Sequence, residues 1–254
     1  MKSKRFLVML MVGGALFVTV HPVSADLVMT QANHTDAFEV MGQKQPERFD
    51  TTNMWIGEKF SRADMADTTT MLFDLEKHEL IAVNHVDKTY AVMPLNFGEM
   101  VDRALEGEDA EEAEAAKDMM KATMGSMKCD VTPTDETKKI RDWNARKYNV
   151  DMSIMMMNFN NEIWATEDIK FDWKAYYAMT EGMLSQMPGA ENLISAMMEV
   201  KGVPVLTIST GNMMGATFKA TSELVECVTK DAPVGWYAIP EGYQKVEMEG
   251  MGGF

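Results

Sequence analysis

The chain has 254 residues, 46% of them hydrophobic and 25% charged, with a formal net charge of −15. That balance excludes a disordered polymer, a collagen-like repeat and a small disulfide-stapled fold. The acidity also excludes a nucleic-acid binder, because phosphate contacts need clustered Lys and Arg.

Residues 1–25 read as a secretory signal peptide. Lys2, Lys4 and Arg5 form its basic start, residues 6–20 an uncharged and mostly apolar run, and Val23-Ser24-Ala25 a small-residue cleavage site. The run is too short for a membrane span of ~20 residues. No later stretch reaches ~18 consecutive apolar residues, so no transmembrane helix is expected. The reading is therefore a periplasmic or secreted protein that is not an integral membrane protein. Without Lys2, Lys4 and Arg5 the mature chain carries 21 basic and 39 acidic residues.

Residues 26–32 read as a first strand. A polar stretch follows over 38–50, and a second strand starts at Asn53. From Thr69 the chain alternates, with Met71, Phe73 and Leu75 on one side. Residues 76–79 turn, 80–86 and 89–93 return, and the whole reads as an antiparallel meander. Residues 97–127 change to helical spacing, broken at Gly107. Ala113, Ala116, Met120, Met124 and Met127 form an apolar stripe there at steps of three and four.

Strands resume at Lys128. Tyr148, Val150, Met152 and Ile154 share one face of a strand, with Lys147, Asn149, Asp151 and Ser153 on the other. Residues 158–161 read as its turn and 162–166 as its return. Asp172 can cap a helix carrying Trp173, Tyr176, Tyr177, Thr180, Met183, Leu184 and Met187, stopped by Pro188-Gly189. A short helix with Leu193, Ile194, Met197 and Met198 follows. Strands over 203–210, 216–222 and 224–230 complete the domain with an aromatic segment over 236–243. The layout predicts a single α+β domain over 26–247, with a flexible C-terminal tail over 248–254.

The composition departs from the ordinary in methionine, of which there are 27. Most fall where periodicity calls for Leu, so they read as soft apolar filling. Thioethers are also Cu(I) ligands. The spacing of Met119, Met120, Met124 and Met127, and of Met248 and Met251, keeps an envelope Cu(I)-binding reading open.

No nucleophile elbow, His-Glu-x-x-His, dinucleotide or phosphate loop is present, so the chain reads as non-enzymatic. His78 and His85 read as polar strand or turn positions, and Asn33-His34-Thr35 as a chance sequon. A zinc site is not expected, because no Cys-x-x-Cys exists and the mature histidines are only His34, His78 and His85. No cofactor is expected. The two cysteines, Cys129 and Cys227, fit either a disulfide or a pair of buried thiols.

Several segments together resemble a known family: Met54-Trp55-Ile56-Gly57-Glu58-Lys59, Lys88-Thr89-Tyr90, Thr137-Lys138-Lys139-Ile140, Arg146-Lys147-Tyr148-Asn149-Val150, Glu162-Ile163-Trp164-Ala165-Thr166, Lys201-Gly202-Val203-Pro204-Val205-Leu206 and Ile239-Pro240-Glu241-Gly242-Tyr243. In their order they resemble secreted bacterial proteins built on a domain of unknown function. That family is similar to the periplasmic lipoprotein carriers LolA and LolB. One departure is Ala145, where the family often has Cys. The resemblance implies a LolA-like domain, a strongly curved, unclosed antiparallel β-barrel with helices packed into its open face. It also implies an apolar interior that shelters an acyl chain, a lipid or another hydrophobic small molecule. Met120, Met124, Met127, Met152, Tyr176, Met183, Met187 and Met197 are the expected cavity lining. Partnership with an envelope protein, with a filled interior, is the remaining reading.

Overall fold

The computed structural model describes residues 25–40, 42–107, 109–155, 157–170, 190–213 and 216–247. Strand β1 (Asp26–Thr35) opens the domain. β2 (Phe38–Val40) and β3 (Gln43–Gln45) form a small hairpin of their own inside the polar stretch. Five antiparallel strands follow: β4 (Arg48–Ile56), β5 (Phe60–Met65), β6 (Thr69–Asp74), β7 (Glu79–Asn84) and β8 (Thr89–Pro94). Helices α1 (Phe97–Ala104) and α2 (Ala110–Gly125) lead to a second meander. It comprises β9 (Lys128–Ile140), β10 (Trp143–Ile154), β11 (Met157–Thr166), β12 (Val203–Met213) and β13 (Ala216–Lys230). Helix α3 (Ala190–Glu199) lies between β11 and β12, and a short β14 (Gln244–Lys245) comes last.

Twelve of these strands make one sheet, in the order β14-β8-β7-β6-β5-β4-β1-β13-β12-β11-β10-β9. β1 stands in the middle and joins the two meanders, pairing with β4 on one side and β13 on the other. All pairings are antiparallel except β14 against β8.

This corrects the expected half-barrel with helices in its mouth. The sheet is open, with β9 and β14 as its two edges, and among the described residues the helices are few. α1 packs beside β8 and α3 beside β9. α2 has no buried residue. Its Ala/Glu run supplies helix propensity, but its stripe is too narrow to form a core face.

Turn chemistry sets the hairpins. Asp74 Oδ1 accepts the backbone N–H groups of Glu76 and Lys77 at 3.1 and 2.9 Å, and His78 closes that loop with φ 55°. Asn84 repeats the device. Its Oδ1 accepts from Val86 and Asp87 at 2.9 and 3.0 Å, and Lys88 closes with φ 53°. Both are Asx turns, in which a side chain stands in for a backbone acceptor. Between β5 and β6, Ala66 and Asp67 both take positive φ, and Thr68 N–H bonds Met65 O at 3.2 Å. That is the primed turn whose twist suits a two-strand ribbon.

Three element readings change. The turn expected at 158–161 lies earlier, at Met155 with φ 51°, and 158–161 belong to β11. The polar side chains there are used within the sheet, as Asn160 bonds Asp151 and Asn161 accepts from Ser209. The strands expected over 216–222 and 224–230 are one strand, β13, whose register against β1 shifts between Thr30 and Gln31. β5 has no apolar alternation at all, and its Phe60 and Arg62 contact the segment that follows β13.

The main buried cluster joins Leu27, Met29, Ile140, Ala145, Trp164, Val203, Val205 and Leu224. A second joins Tyr148, Val150, Ala165 and Val200. Gly202, with φ +92°, lies between α3 and β12, where a Cβ would meet Thr166 O at 2.1 Å. Only glycine fits both the conformation and the space. The edge strand β9 is mostly exposed, is rich in Lys, Asp and Thr and carries Pro133, all features that discourage further pairing. Among the described residues no helix is long and apolar enough to cross a membrane.

Candidate functional site

Side chains alternate across a strand, so the pairing register assigns each to a face. One row reads Leu27, Ile56, Ser61, Phe73, Leu80, Met93 across β1, β4, β5, β6, β7 and β8. The next row on the same face reads Met29, Met54, Ala63, Met71, Ala82, Ala91. The third begins Gln31, Thr52, Met65, Thr69. Five methionines therefore share this face, with Leu, Ile and Phe among them. Met29 is buried, whereas Met54, Met65, Met71 and Met93 remain half-buried, as do Ile56, Phe73 and Leu80.

The same face continues into the second meander. A row runs from Thr35 through Ala220, Ser209, Asn161 and Val150 to Val131. There Tyr148, Val150 and Ala165 pack with Val200, just past the end of α3, with Met152, Ile163 and Cys129 against them. Towards the ends of β11 and β12 an aromatic group closes the face. Phe159 and Phe38 approach Phe218 with ring centroids 6.0 and 5.9 Å away. Phe218 lies over Gly211, where a Cβ would fall 2.3 Å from the ring.

The opposite face of the first meander is better sealed. Val28, Thr70, Leu72, Asp74 and Val83 are all buried on it. Residues 231–243 cross this face from the end of β13 to β14, as a strap. Tyr237 OH donates to Asp26 Oδ2 at 2.5 Å, and its ring stacks with Phe60 at 5.6 Å. Burial, reinforced by the bond to Asp26, pushes the Tyr237 phenol well above its ordinary value. Arg62 donates to Trp236 O at 2.7 Å, lies 4.1 Å from the indole centroid and pairs with Asp64. Trp55 packs on the same indole at 5.1 Å. Thr70 donates to Asp64 and lies 2.7 Å from His85 Nε2, while Tyr243 OH lies 2.8 Å from His85 Nδ1. Because the Thr70 hydroxyl proton goes to Asp64, Nε2 of His85 is the donor to Thr70 Oγ1. His85 is thus a structural clamp, and His78 stands apart in the β6–β7 loop.

The expected lining residues do not come together as one set. Met152 lies on the methionine-bearing face beside Cys129 and Phe159. Met127 is buried, and Met197 is half-buried on α3. Met120 and Met124 are half-buried on α2, which has no buried residue. Tyr176, Met183 and Met187 lie outside the described residues. The methionines of the Cu(I) reading sit in unlike surroundings, with Met119 69% exposed and Met127 9% exposed. Met248 and Met251 lie outside the described residues. Helical periodicity directed attention to helix methionines and missed Met29, Met54, Met65, Met71 and Met93. Strand alternation, already visible at Met71 and Phe73, was the signal for them.

Cys129 and Cys227 are free thiols. Three strands separate β9 from β13, about 19 Å at the usual strand spacing, and a disulfide needs Cα atoms within ~7 Å. Burial, with Asp130 and Glu199 adding, pushes the Cys129 thiol up, and burial alone does so for Cys227. Both therefore make poor nucleophiles.

No protein-family model matches the chain, and no curated protein does. Among solved structures, one described as "Structure of PNGF-II in C2 space group" is similar at 10% identity with a TM-score of 0.38. The match covers 89% of this chain and 31% of that one, so the chain spans about a third of that protein's length.

Proposed function

We propose that this chain is an exported, non-enzymatic binding protein that holds a lipid acyl chain or a similar apolar molecule. The binding surface is the methionine-bearing face of the first meander. The observation that carries the reading is the shared register of Met54, Met65, Met71 and Met93 with Ile56, Phe73 and Leu80, all half-buried on one face. Apolar side chains left partly in water gain ~25 cal/mol per Å2 when a ligand covers them. Unbranched thioethers adapt to a chain of variable shape. The signal-like residues 1–25 and the motif resemblance to periplasmic lipoprotein carriers support export and an acyl cargo.

The test is uptake of a fluorescent fatty acid by the purified protein, with native mass spectrometry of material from its own host. Saturable uptake is expected, falling at least fivefold in Met54→Glu/Met71→Glu, while Met119→Glu on α2 binds as the parent does. No saturable uptake together with an empty native mass spectrum would sink the reading.

A further inference from the structure

At the far end of β1 from the strap, three ligand-bearing side chains converge. His34 Nε2 lies 2.7 Å from Glu47 Oε1 and 3.5 Å from Asp36 Oδ1. The three candidate donor atoms all lie within 4.8 Å of one another. Phe49, the cross-strand partner of His34 on β4, stacks flat on the imidazole with centroids 4.3 Å apart and planes 4° from parallel. The ring is thereby held with Nε2 towards the carboxylates. Among the described residues, His34 is the only ion-pair partner of Asp36 or of Glu47. Two carboxylates thus share one imidazole, with no Lys or Arg between them.

The position in the fold is equally specific. Asp36 stands just after β1 and Glu47 just before β4, at the two ends of the excursion that carries β2 and β3. That excursion reaches over the sheet and sets Phe38 against Phe218.

We propose that His34, Asp36 and Glu47 bind a first-row divalent ion of the zinc class at the neck of this excursion. One imidazole nitrogen and two carboxylate oxygens are a borderline donor set, and three protein ligands plus water complete a tetrahedron. Calcium would need six or more oxygens, and magnesium an octahedron of them. Donors around one zinc ion at ~2.0–2.1 Å stand about 3.3 Å apart. The Asp36–His34 separation already matches that, and the Glu47 contact opens by well under 1 Å as the ion replaces its hydrogen bond. The imidazole then carries its proton on Nδ1. Bound metal ties β1 to the start of β4 and fixes the hairpin that brings Phe38 to the aromatic end of the methionine-bearing face. Zinc escaped the sequence reading because the ligands do not follow a Cys-x-x-Cys or His-x3-His spacing. The fold brings together two positions thirteen residues apart, His34 and Glu47.

The proposal stands independently of the apolar-ligand reading. Its test is calorimetric titration of the chelator-treated full chain, thiols blocked, with ZnCl2 and separately with MgCl2. One saturable zinc site per chain is expected, with no saturable magnesium heat and slower hydrogen exchange over residues 36–47. His34→Ala and Glu47→Gln should each weaken zinc binding roughly tenfold or more. Glu47→Gln preserves size and shape, so it decides the matter if His34→Ala does not fold. An absence of saturable zinc binding, equal competition by magnesium, or unchanged affinity in the folded variants overturns the proposal.

Discussion

Single residues hold this sheet's turns in place, and Asp74 is the clearest case. It is 5% exposed, and its carboxylate accepts two backbone N–H groups and pairs with Lys77 at 3.0 Å. Burial opposes its charge, but the bonds from Lys77 and Glu76 outweigh that, and its carboxyl is held below the ordinary value of 3.8. A folded value below the unfolded one means the contribution is full above the ordinary carboxylate range. It is lost as pH falls through the folded value. Asp74→Ala should therefore cost about 2 kcal/mol at pH 7. Urea titrations across pH should show that difference shrinking below the ordinary Asp range. A constant difference from neutral to strongly acid pH would contradict the assignment. Residues of this kind are half-legible in sequence. Glu76-Lys77-His78-Glu79 announces a turn, but nothing in the string says that Asp74 supplies its acceptor.

Strands with one wet and one dry face were the most legible elements. The alternation from Lys147 to Ile154 puts Tyr148 and Val150 inside, and both are buried. β5 was illegible for a definite physical reason. Its inward residues are Arg62 and Asp64: Asp64 is met nearby by Arg62 and Thr70, but Arg62 itself reaches Trp236 across |i−j| = 174. Local patterns cannot register a partner at that distance. The helix at 110–125 misled in the opposite way, because strong propensity and a methionine stripe looked like a cavity wall. The strap is the element whose contribution is easiest to isolate. Tyr237→Phe removes one phenol oxygen and leaves Asp26 without its donor. We expect a loss of about 1–3 kcal/mol, with amides of residues 231–246 exchanging faster while those of β10 and β11 stay unchanged. Uniform acceleration over the whole sheet would show that the strap is not a separate unit.

At the scale of the whole molecule, order along the chain matters more than composition. Each meander forms largely from hairpins whose strands are near neighbours in sequence, the exception being β11 with β12, which residues 167–202 separate. The pairing of β1 with β13 instead joins positions such as Leu27 and Thr229. Closing so long a loop costs entropy that local hairpins avoid, so this pairing should form last. Pulse-labelled hydrogen exchange during refolding should protect β6–β7 amides before those of β1 and β13. Simultaneous protection would refute that order. The open sheet itself could not be read from the sequence, since the same run of strands and helices suits a curved half-barrel equally well. The difference lies in whether the helices find an apolar stripe wide enough to pack across the sheet, and α2 does not.

The β1–β13 pairing has a consequence for assembly. It is the long antiparallel seam between the chain's two halves, whose connection runs through α1 and α2. Nothing in the seam's hydrogen bonds distinguishes a β13 of the same chain from the β13 of another copy. At high protein concentration during refolding, two chains can therefore exchange halves across it, each sheet completed by its neighbour. Such an exchanged dimer would contain the same strand order, the same methionine-bearing face and two straps. It would differ from the monomer only in which copy supplies β9–β13 and, with them, the strap and β14 that follow β13.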